Sequence, residues 1–243
     1  MNAGSEMTGD VFVAGRSPGP AATISRALGN VFIGVALGLG CYYGLTDLAG
    51  HLRQDVMRDS LEGLGAVAAA DPGDHLVEPT ADSLDFTGWA EEDEAYWLAL
   101  EDGGPFGRLI IEEMELDTVV VKGQSRENLK KGPAWVDYTD LPGPTGNCGI
   151  SGHRTTYAAP FRRLDDLEQG DTIDLYSPFR RYRYRVDDVF EVTPDKVEVM
   201  DSTEEPSLTL TACHPPYSAR YRLVVRATLA EVVRFEESSS LGE

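Results

Sequence analysis

The chain has 243 residues, 42% of them hydrophobic, and a formal net charge of −20. The composition is ordinary for a globular protein, with enough apolar material for a sizeable core. So acidic a surface disfavours nucleic acid and anionic lipid heads, which need clustered Lys and Arg, and three cysteines with no CxxC and no zinc-spaced Cys/His pair exclude a disulfide framework and a structural zinc site.

Residues 1–25 are rich in Gly, Ser and Pro and read as a disordered tail. Residues 26–46 read as a transmembrane anchor: Ala27 to Thr46 holds no charge, and its length suits a bilayer-spanning helix. Gly34, Gly38 and Gly44 are tolerated in such a helix, and Tyr42 and Tyr43 suit an interface. A cleaved signal peptide predicts a shorter apolar core and a prompt small-x-small site, so an uncleaved anchor is favoured. Arg16 and Arg26 before the segment and Arg53 and Arg58 after it leave orientation open. Residues 47–85 read as stalk and linker. Leu48, Leu52, Val56, Leu61 and Leu64 recur at helical spacing, and the linker begins near residue 71. His51 and His75 fall here without a partner pattern.

Residues 86–243 read as one globular domain. Phe86 to Leu100 predicts a short helix packed by Trp89, Tyr96, Trp97 and Leu100. From Gly103 short apolar runs recur, at Arg108-Leu-Ile-Ile, Thr118-Val-Val-Val, Asn147-Cys-Gly-Ile, Thr172 to Tyr176, Tyr184-Arg-Val, Leu208-Thr-Leu-Thr and Arg222-Leu-Val-Val. Gly, Pro, Asp and Asn punctuate them, which predicts a mainly β domain closed or partly closed into a barrel. Ser125 to Lys131 and Pro160 to Leu167 read as single helical turns. The alternation Arg181-Tyr-Arg-Tyr-Arg-Val resembles a stacking platform for single-stranded nucleic acid. In so acidic a chain it reads better as a strand with Tyr182, Tyr184 and Val186 inward.

Two segments carry chemistry. In Gly146 to Phe161 a run of small residues reaches Gly152, where glycine permits a tight turn, and His153 follows, exposed and aimed. In Ser207 to Val225 an apolar run ends at Cys213, and Pro215 and Pro216 stop it because proline lacks the ladder N–H. A strand-end cysteine is presented rather than packed. Its thiolate is the reactive form, a histidine can take the thiol proton and return it to a leaving amine, and a fixed guanidinium such as Arg222 can stabilise an acyl-transfer oxyanion. His214 competes with His153 as base, but strand neighbours point to opposite faces. Arg220 competes with Arg222, having the same strand parity. Cys148 lies five positions before His153, roughly 16 Å at about 3.3 Å per residue. That is too far to bridge Cys213, so it is expected to be a small core residue.

Thr209-Leu-Thr-Ala-Cys213 with Arg222 nine positions on resembles the sortase TLxTC…R signature. Pro142 to Arg154 resembles that family's histidine motif, and Gly107-Arg-Leu-Ile-Ile and Lys131-Gly-Pro its first-strand and Gly-Pro turn motifs. The run Cys213-His-Pro-Pro-Tyr-Ser-Ala-Arg-Tyr-Arg is most similar to class E sortases of high-GC Gram-positive bacteria. The resemblance covers about residues 100–235 and the N-terminal anchor. It implies a closed sortase barrel of about eight strands with short helices over 86–243, behind one transmembrane helix and a helical stalk. It also implies a single-pass cell-membrane protein with a cytoplasmic tail and an extracellular catalytic domain. The implied reaction is cleavage of an LAxTG- or LPxTG-like sorting signal between Thr and Gly through a Cys213 thioacyl enzyme. An amine of a peptidoglycan precursor then resolves it. The implied catalytic residues are Cys213, His153 and Arg222, with Thr209, Thr211, Ala212, Tyr157 and Ser218 at the substrate groove. No cofactor, metal or nucleic acid is expected. Ala212 replaces the family's usual threonine, and Cys148 a commoner small or apolar residue. Pilus-polymerising sortases share the nine-residue spacing, but many carry a C-terminal membrane helix, whereas residues 236–243 are polar. A non-catalytic tethered barrel is the alternative of a different class.

Overall fold

The computed structural model describes residues 20–62 and 84–235. The expected tail up to residue 19, the end of the expected stalk with Leu64, most of the linker after it and the polar stretch 236–243 lie outside the described residues. The chain divides into two compact units, residues 1–45 and 46–243.

In the first unit helix α1 begins, its whole span being Pro20–Glu62. Proline fits a first helical turn, where its missing N–H has no intrahelical partner to lose. The helix therefore starts before residue 26, the expected beginning of the anchor. Within Ile24–Leu61 an apolar stretch of 18 residues reaches a mean hydropathy of 1.5 with none of it buried, long and apolar enough to cross a membrane.

The second unit contains the end of α1 and a closed barrel. Its strands are β1 (Pro105–Ile111), β2 (Leu116–Lys122), β3 (Ala134–Trp135), β4 (Asn147–Ser151), β5 (Thr172–Tyr176), β6 (Arg180–Val192), β7 (Ser207–His214) and β8 (Tyr221–Arg234). Around the barrel they run β1-β2-β3-β4-β7-β8-β6-β5, closed by β1 against β5. Two pairs are parallel, β2 with β3 and β4 with β7. Gly107 is needed at the closure, since a Cβ there would lie 2.5 Å from the Tyr176 carbonyl oxygen.

Side chains alternate between the two sides of each strand. Cys148 and Ile150 of β4, Leu208, Leu210 and Ala212 of β7, and Leu223, Val225, Ala227 and Leu229 of β8 join one buried cluster in the interior. Each large aliphatic side chain taken out of water contributes about 1.5–3 kcal/mol. Tyr182, Tyr184 and Val186 belong to the same cluster, as the alternating run predicts. Outside, Arg181 pairs with Glu231 and Arg183 with Asp174, so these arginines already have acidic partners.

The segment before β1 packs against the barrel. A π-helical turn, Ala90–Glu94, runs into α2 (Ala95–Ala99). Trp97 stacks on Phe106 at 5.1 Å, and Phe106 on Trp135 at 5.2 Å. Lys122 Nζ donates to the Trp97 and Leu100 carbonyls, satisfying acceptors left open at the helix end. Arg180, fully buried, pairs with Asp93, also fully buried, and with Glu92 at 2.8 Å, and donates to the Thr87 carbonyl.

The stalk part of α1 is docked. Gln54 uses both ends of its amide, accepting from Val119 N at 2.6 Å and Thr118 Oγ1 at 2.9 Å, and donating to Lys131 O at 2.7 Å and Val119 O at 3.2 Å. It replaces a strand neighbour for Val119 on β2. Arg58 pairs with Asp117 at 3.2 Å. Gly132 admits this contact, since a Cβ there would lie 2.4 Å from Gln54 Nε2. Of the expected helical turns, α3 (Arg126–Leu129) is capped by Ser125, whose Oγ accepts from Asn128 N, and Leu164–Asp166 forms a 3-10 turn.

Candidate active site

Strand β7 ends in Cys213 and His214, and Pro215 and Pro216 follow exposed. Cys213 is a partly exposed free thiol. In the antiparallel pair β7–β8 it stands directly opposite Arg222. Residues so paired project from the same face with Cβ atoms about 4.5–5.5 Å apart. That face is the outer one, because Ala212 and Leu223, one position away, belong to the interior cluster. Arg222 Nη1 donates to the Ala219 and Tyr221 carbonyls at 3.3 and 3.2 Å. Both partners are neutral, so the guanidinium charge faces no carboxylate among the described residues. Arg220 precedes β8, is exposed and stacks over the Tyr221 ring at 5.2 Å, so the register selects Arg222.

His153 arrives from β4, parallel to β7 with Ser151 beside Thr211. Gly152 N donates to Thr211 O at 3.0 Å, which carries the pairing one residue further. The next residues in line are His153 and Cys213. The sequence reading gave Gly152 a tight-turn role, but no left-handed φ occurs there. What the position needs is the absence of a Cβ, which would lie 2.5 Å from the Phe161 ring. Phe161 N in turn donates to His153 O at 3.0 Å, closing the loop behind the histidine. Burial lowers the His153 pKa from its ordinary 6.5, which favours the neutral imidazole that a base requires. The Tyr157 ring lies 5.2 Å from the imidazole. Tyr157, Ala158 and Ala159 all hold left-handed φ values of 54, 62 and 44°. Such non-glycine strain costs about 1–3 kcal/mol per residue and collects at functional sites.

The outer face is roofed at one end by the 3-10 turn Val197–Met200. The Val199 carbonyl accepts from Arg226 Nη2 at 2.7 Å, Asn147 Nδ2 at 3.2 Å and Thr209 Oγ1 at 3.5 Å. Under this roof Thr209 is fully buried and donates to Asn147 Oδ1 at 2.8 Å. A Cβ on Gly149 would lie 2.8 Å from Met200 Sδ. Beyond the roof the outer face carries Ser151 and Thr211, the latter still buried, and then His153 and Cys213, both partly exposed.

The five expected groove residues divide. Tyr157 stands beside His153, and Ser218 lies in the β7–β8 turn, accepting from Arg220 N at 3.2 Å. Thr211 shares the outer face with Cys213. Thr209 is covered by the roof. Ala212 faces the interior cluster, so the hydroxyl absent there is absent from the core and not from the groove. Cys148 is a buried free thiol whose pKa is pushed well up by burial. It pairs in register with Leu208, five positions from Cys213, which leaves it without reach for a bridge.

His214 faces inward, as strand alternation predicts. Its Nδ1 lies 2.5 Å from Arg154 Nη1 and its Nε2 lies 3.0 Å from Glu191 Oε1. Arg154, only 3% exposed, also pairs with Asp165 at 2.5 Å. In the sequence Arg154 sits inside the histidine motif with nothing to mark a role, because its partner lies 60 positions away. No group of three or more His, Cys, Asp or Glu side chains converges as a metal site among the described residues.

Comparison with known proteins places this geometry. The sortase-domain family model matches residues 109–230. The chain is 27% identical over 236 residues to Sortase SrtE1 of Streptomyces coelicolor, covering 89% of this chain and 60% of that one. It is 32% identical over 170 residues to Sortase A of Bacillus anthracis, covering 69% of this chain and 79% of that one. A solved structure of Sortase E1 from Streptomyces coelicolor, with a tripeptide in its active site, superposes with a TM-score of 0.51 at 25% identity, covering 54% of this chain and 91% of that one. The chain thus spans 60% of the length of the first of these relatives.

Proposed function

The chain belongs to the sortase family of cysteine transpeptidases, and on that premise we propose that it is a membrane-anchored transpeptidase of class E type acting on a sorting signal. Cys213 Sγ attacks the threonine carbonyl of an LAxTG- or LPxTG-like peptide. His153 accepts the thiol proton and delivers it to the leaving glycine amine. Arg222 donates to the oxyanion of each tetrahedral intermediate, and loss of one such donor costs about 2.7–4 kcal/mol in barrier. The amine of a peptidoglycan precursor then attacks the thioacyl carbonyl, loses a proton to His153 and releases Cys213. Helix α1 holds the enzyme in the membrane, and the barrel works outside the cell.

The observation that carries this reading is the cross-strand pairing of Cys213 with Arg222 on the outer face, beside the strand that delivers His153. The groove residues are Thr211, Tyr157 and Ser218. The peptide seen in the Streptomyces coelicolor relative supports a peptide substrate.

The test uses the full chain in detergent with fluorogenic LAxTG and LPxTG peptides, with and without diaminopimelate. Thr–Gly cleavage that needs Cys213, His153 and Arg222, with an amine-dependent product, is expected. Cleavage by water alone with amine present would make the protein a peptidase. No cleavage and no thioacyl adduct on Cys213 would leave a tethered binding module.

A further inference from the structure

The residue after each proposed reacting group is bonded to its counterpart. His153 and Cys213 face outward, and Arg154 and His214 follow them. Arg154 Nη1 meets His214 Nδ1 at 2.5 Å. A guanidinium only donates, so Nδ1 is the acceptor and the ring proton sits on Nε2. That proton points to Glu191 Oε1 at 3.0 Å on β6. The other arm of Arg154 reaches Asp165 at 2.5 Å, and its Nε donates to Arg162 O at 3.4 Å. One buried side chain thus joins three things: the loop that follows His153, the 3-10 turn at Asp165 and the end of β7. His214 faces Tyr221 in register across β7–β8, and among the described residues its side-chain partners are Arg154 and Glu191.

We propose that Arg154 and His214 form a clamp of positioning residues that fixes the separation of His153 and Cys213 by joining the residues immediately behind them. The proposal rests on the reading of His153 and Cys213 as the reacting pair. β4 stops at Ser151 and the backbone pairing at Gly152. Past that point no ladder bond holds His153 beside β7 among the described residues, and the Arg154–His214 contact continues the connection. An Arg suits the place because its planar fork serves two partners at once, whereas Lys offers a point charge. Small misplacement of a reacting group is expensive in rate, up to about a hundredfold for 1 Å.

The experiment compares full-length Arg154→Met, Arg154→Lys, His214→Leu and His214→Asn in detergent. Asparagine places a carbonyl oxygen near the position of Nδ1 and so keeps the acceptor; leucine does not. Each variant is measured for kcat and KM on the cleaved peptide, for iodoacetamide alkylation of Cys213 and for thermal midpoint. The clamp predicts that His214→Leu and Arg154→Met lower kcat about tenfold or more with KM nearly unchanged. It predicts slower alkylation of Cys213 in both, near-native activity in His214→Asn and an intermediate value in Arg154→Lys. If Arg154→Met does not fold, the His214 pair decides alone. Equal activity of the leucine and asparagine variants, or losses in KM with native kcat, overturns the clamp. Alkylation needs no peptide, so native alkylation in all four variants overturns it even where no sorting signal is cleaved; failure of the transpeptidase reading shows instead as absent cleavage in the wild type.

Discussion

His153 is partly buried with an aromatic neighbour and no carboxylate among its described contacts. Its pKa lies below 6.5, so the acid limb of kcat/KM should fall below pH 6.5. Tyr157→Glu places a carboxylate near the ring and should move that limb upward, which a pH–rate profile reads directly. The linkage has a definite sign. The folded chain binds the His153 proton more weakly than the unfolded chain, so this group's contribution is fully present above pH 6.5 and is lost as pH falls through the lowered value. Thr209 gives a second residue-level expectation. Thr209→Val leaves Asn147 Oδ1 without its 2.8 Å donor in a buried site, which should cost about 1–3 kcal/mol in urea unfolding. The rate per folded molecule should stay near native, since the roof covers that hydroxyl; a selective rise in peptide KM would return Thr209 to the groove. At this scale the sequence marked the end of the strand at Cys213, because two prolines follow it, but its parity left Arg220 beside Arg222, and only the cross-strand register pairs Cys213 with Arg222. The sequence hid Arg154, whose meaning depends on a histidine in another strand.

Among the elements, β6 is joined to the segment before β1 by ions as well as by apolar packing. Arg180 and Asp93 are both fully buried, and Arg180 also reaches Glu92. Removing one member leaves the other charge uncompensated in the interior, which costs about 3–5 kcal/mol. Asp93→Ala should therefore lower the thermal midpoint far more than a double change of Asp93 and Arg180 to apolar residues; equal losses would show that the pair is not coupled. The expected strands correspond to seven of the eight, and their extents explain the rest. Strand β3 has two residues, Ala134 and Trp135, too few to show a period of two. Strand β6 runs thirteen residues, with a register shift against β8 between Val186 and Asp188. Beyond that point exposed Asp187 and Asp188 break the alternation that marked its first half. The helix expected over Phe86 to Leu100 is shorter and opens with a π-turn, within which Asp93 is buried against Arg180.

On the scale of the whole molecule, the stalk is part of the catalytic unit. Gln54 supplies both hydrogen bonds that Val119 of β2 lacks from a neighbouring strand, and Arg58 adds an ion pair to Asp117. Gln54→Ala leaves buried backbone groups unpaired and should cost about 1–3 kcal/mol. Hydrogen exchange at Val119 should speed up while exchange in β7 and β8 stays slow; uniform acceleration would mean that the helix supports the barrel globally. Helical spacing announced the stalk, yet its attachment was not legible, since one glutamine amide among polar neighbours carries no pattern.

The alternation that sends Cys213 outward and His214 inward also limits how such a protein can change over generations. Point substitutions leave the parity of β4 and β7 intact. A single-residue insertion or deletion between Asn147 and His153, or between Ser207 and Cys213, would exchange the two faces. It would bury the thiol and expose its inward neighbour. Length variation in this lineage should accordingly collect in the turns, and where it enters these two strands it should come in even steps or with a compensating bulge.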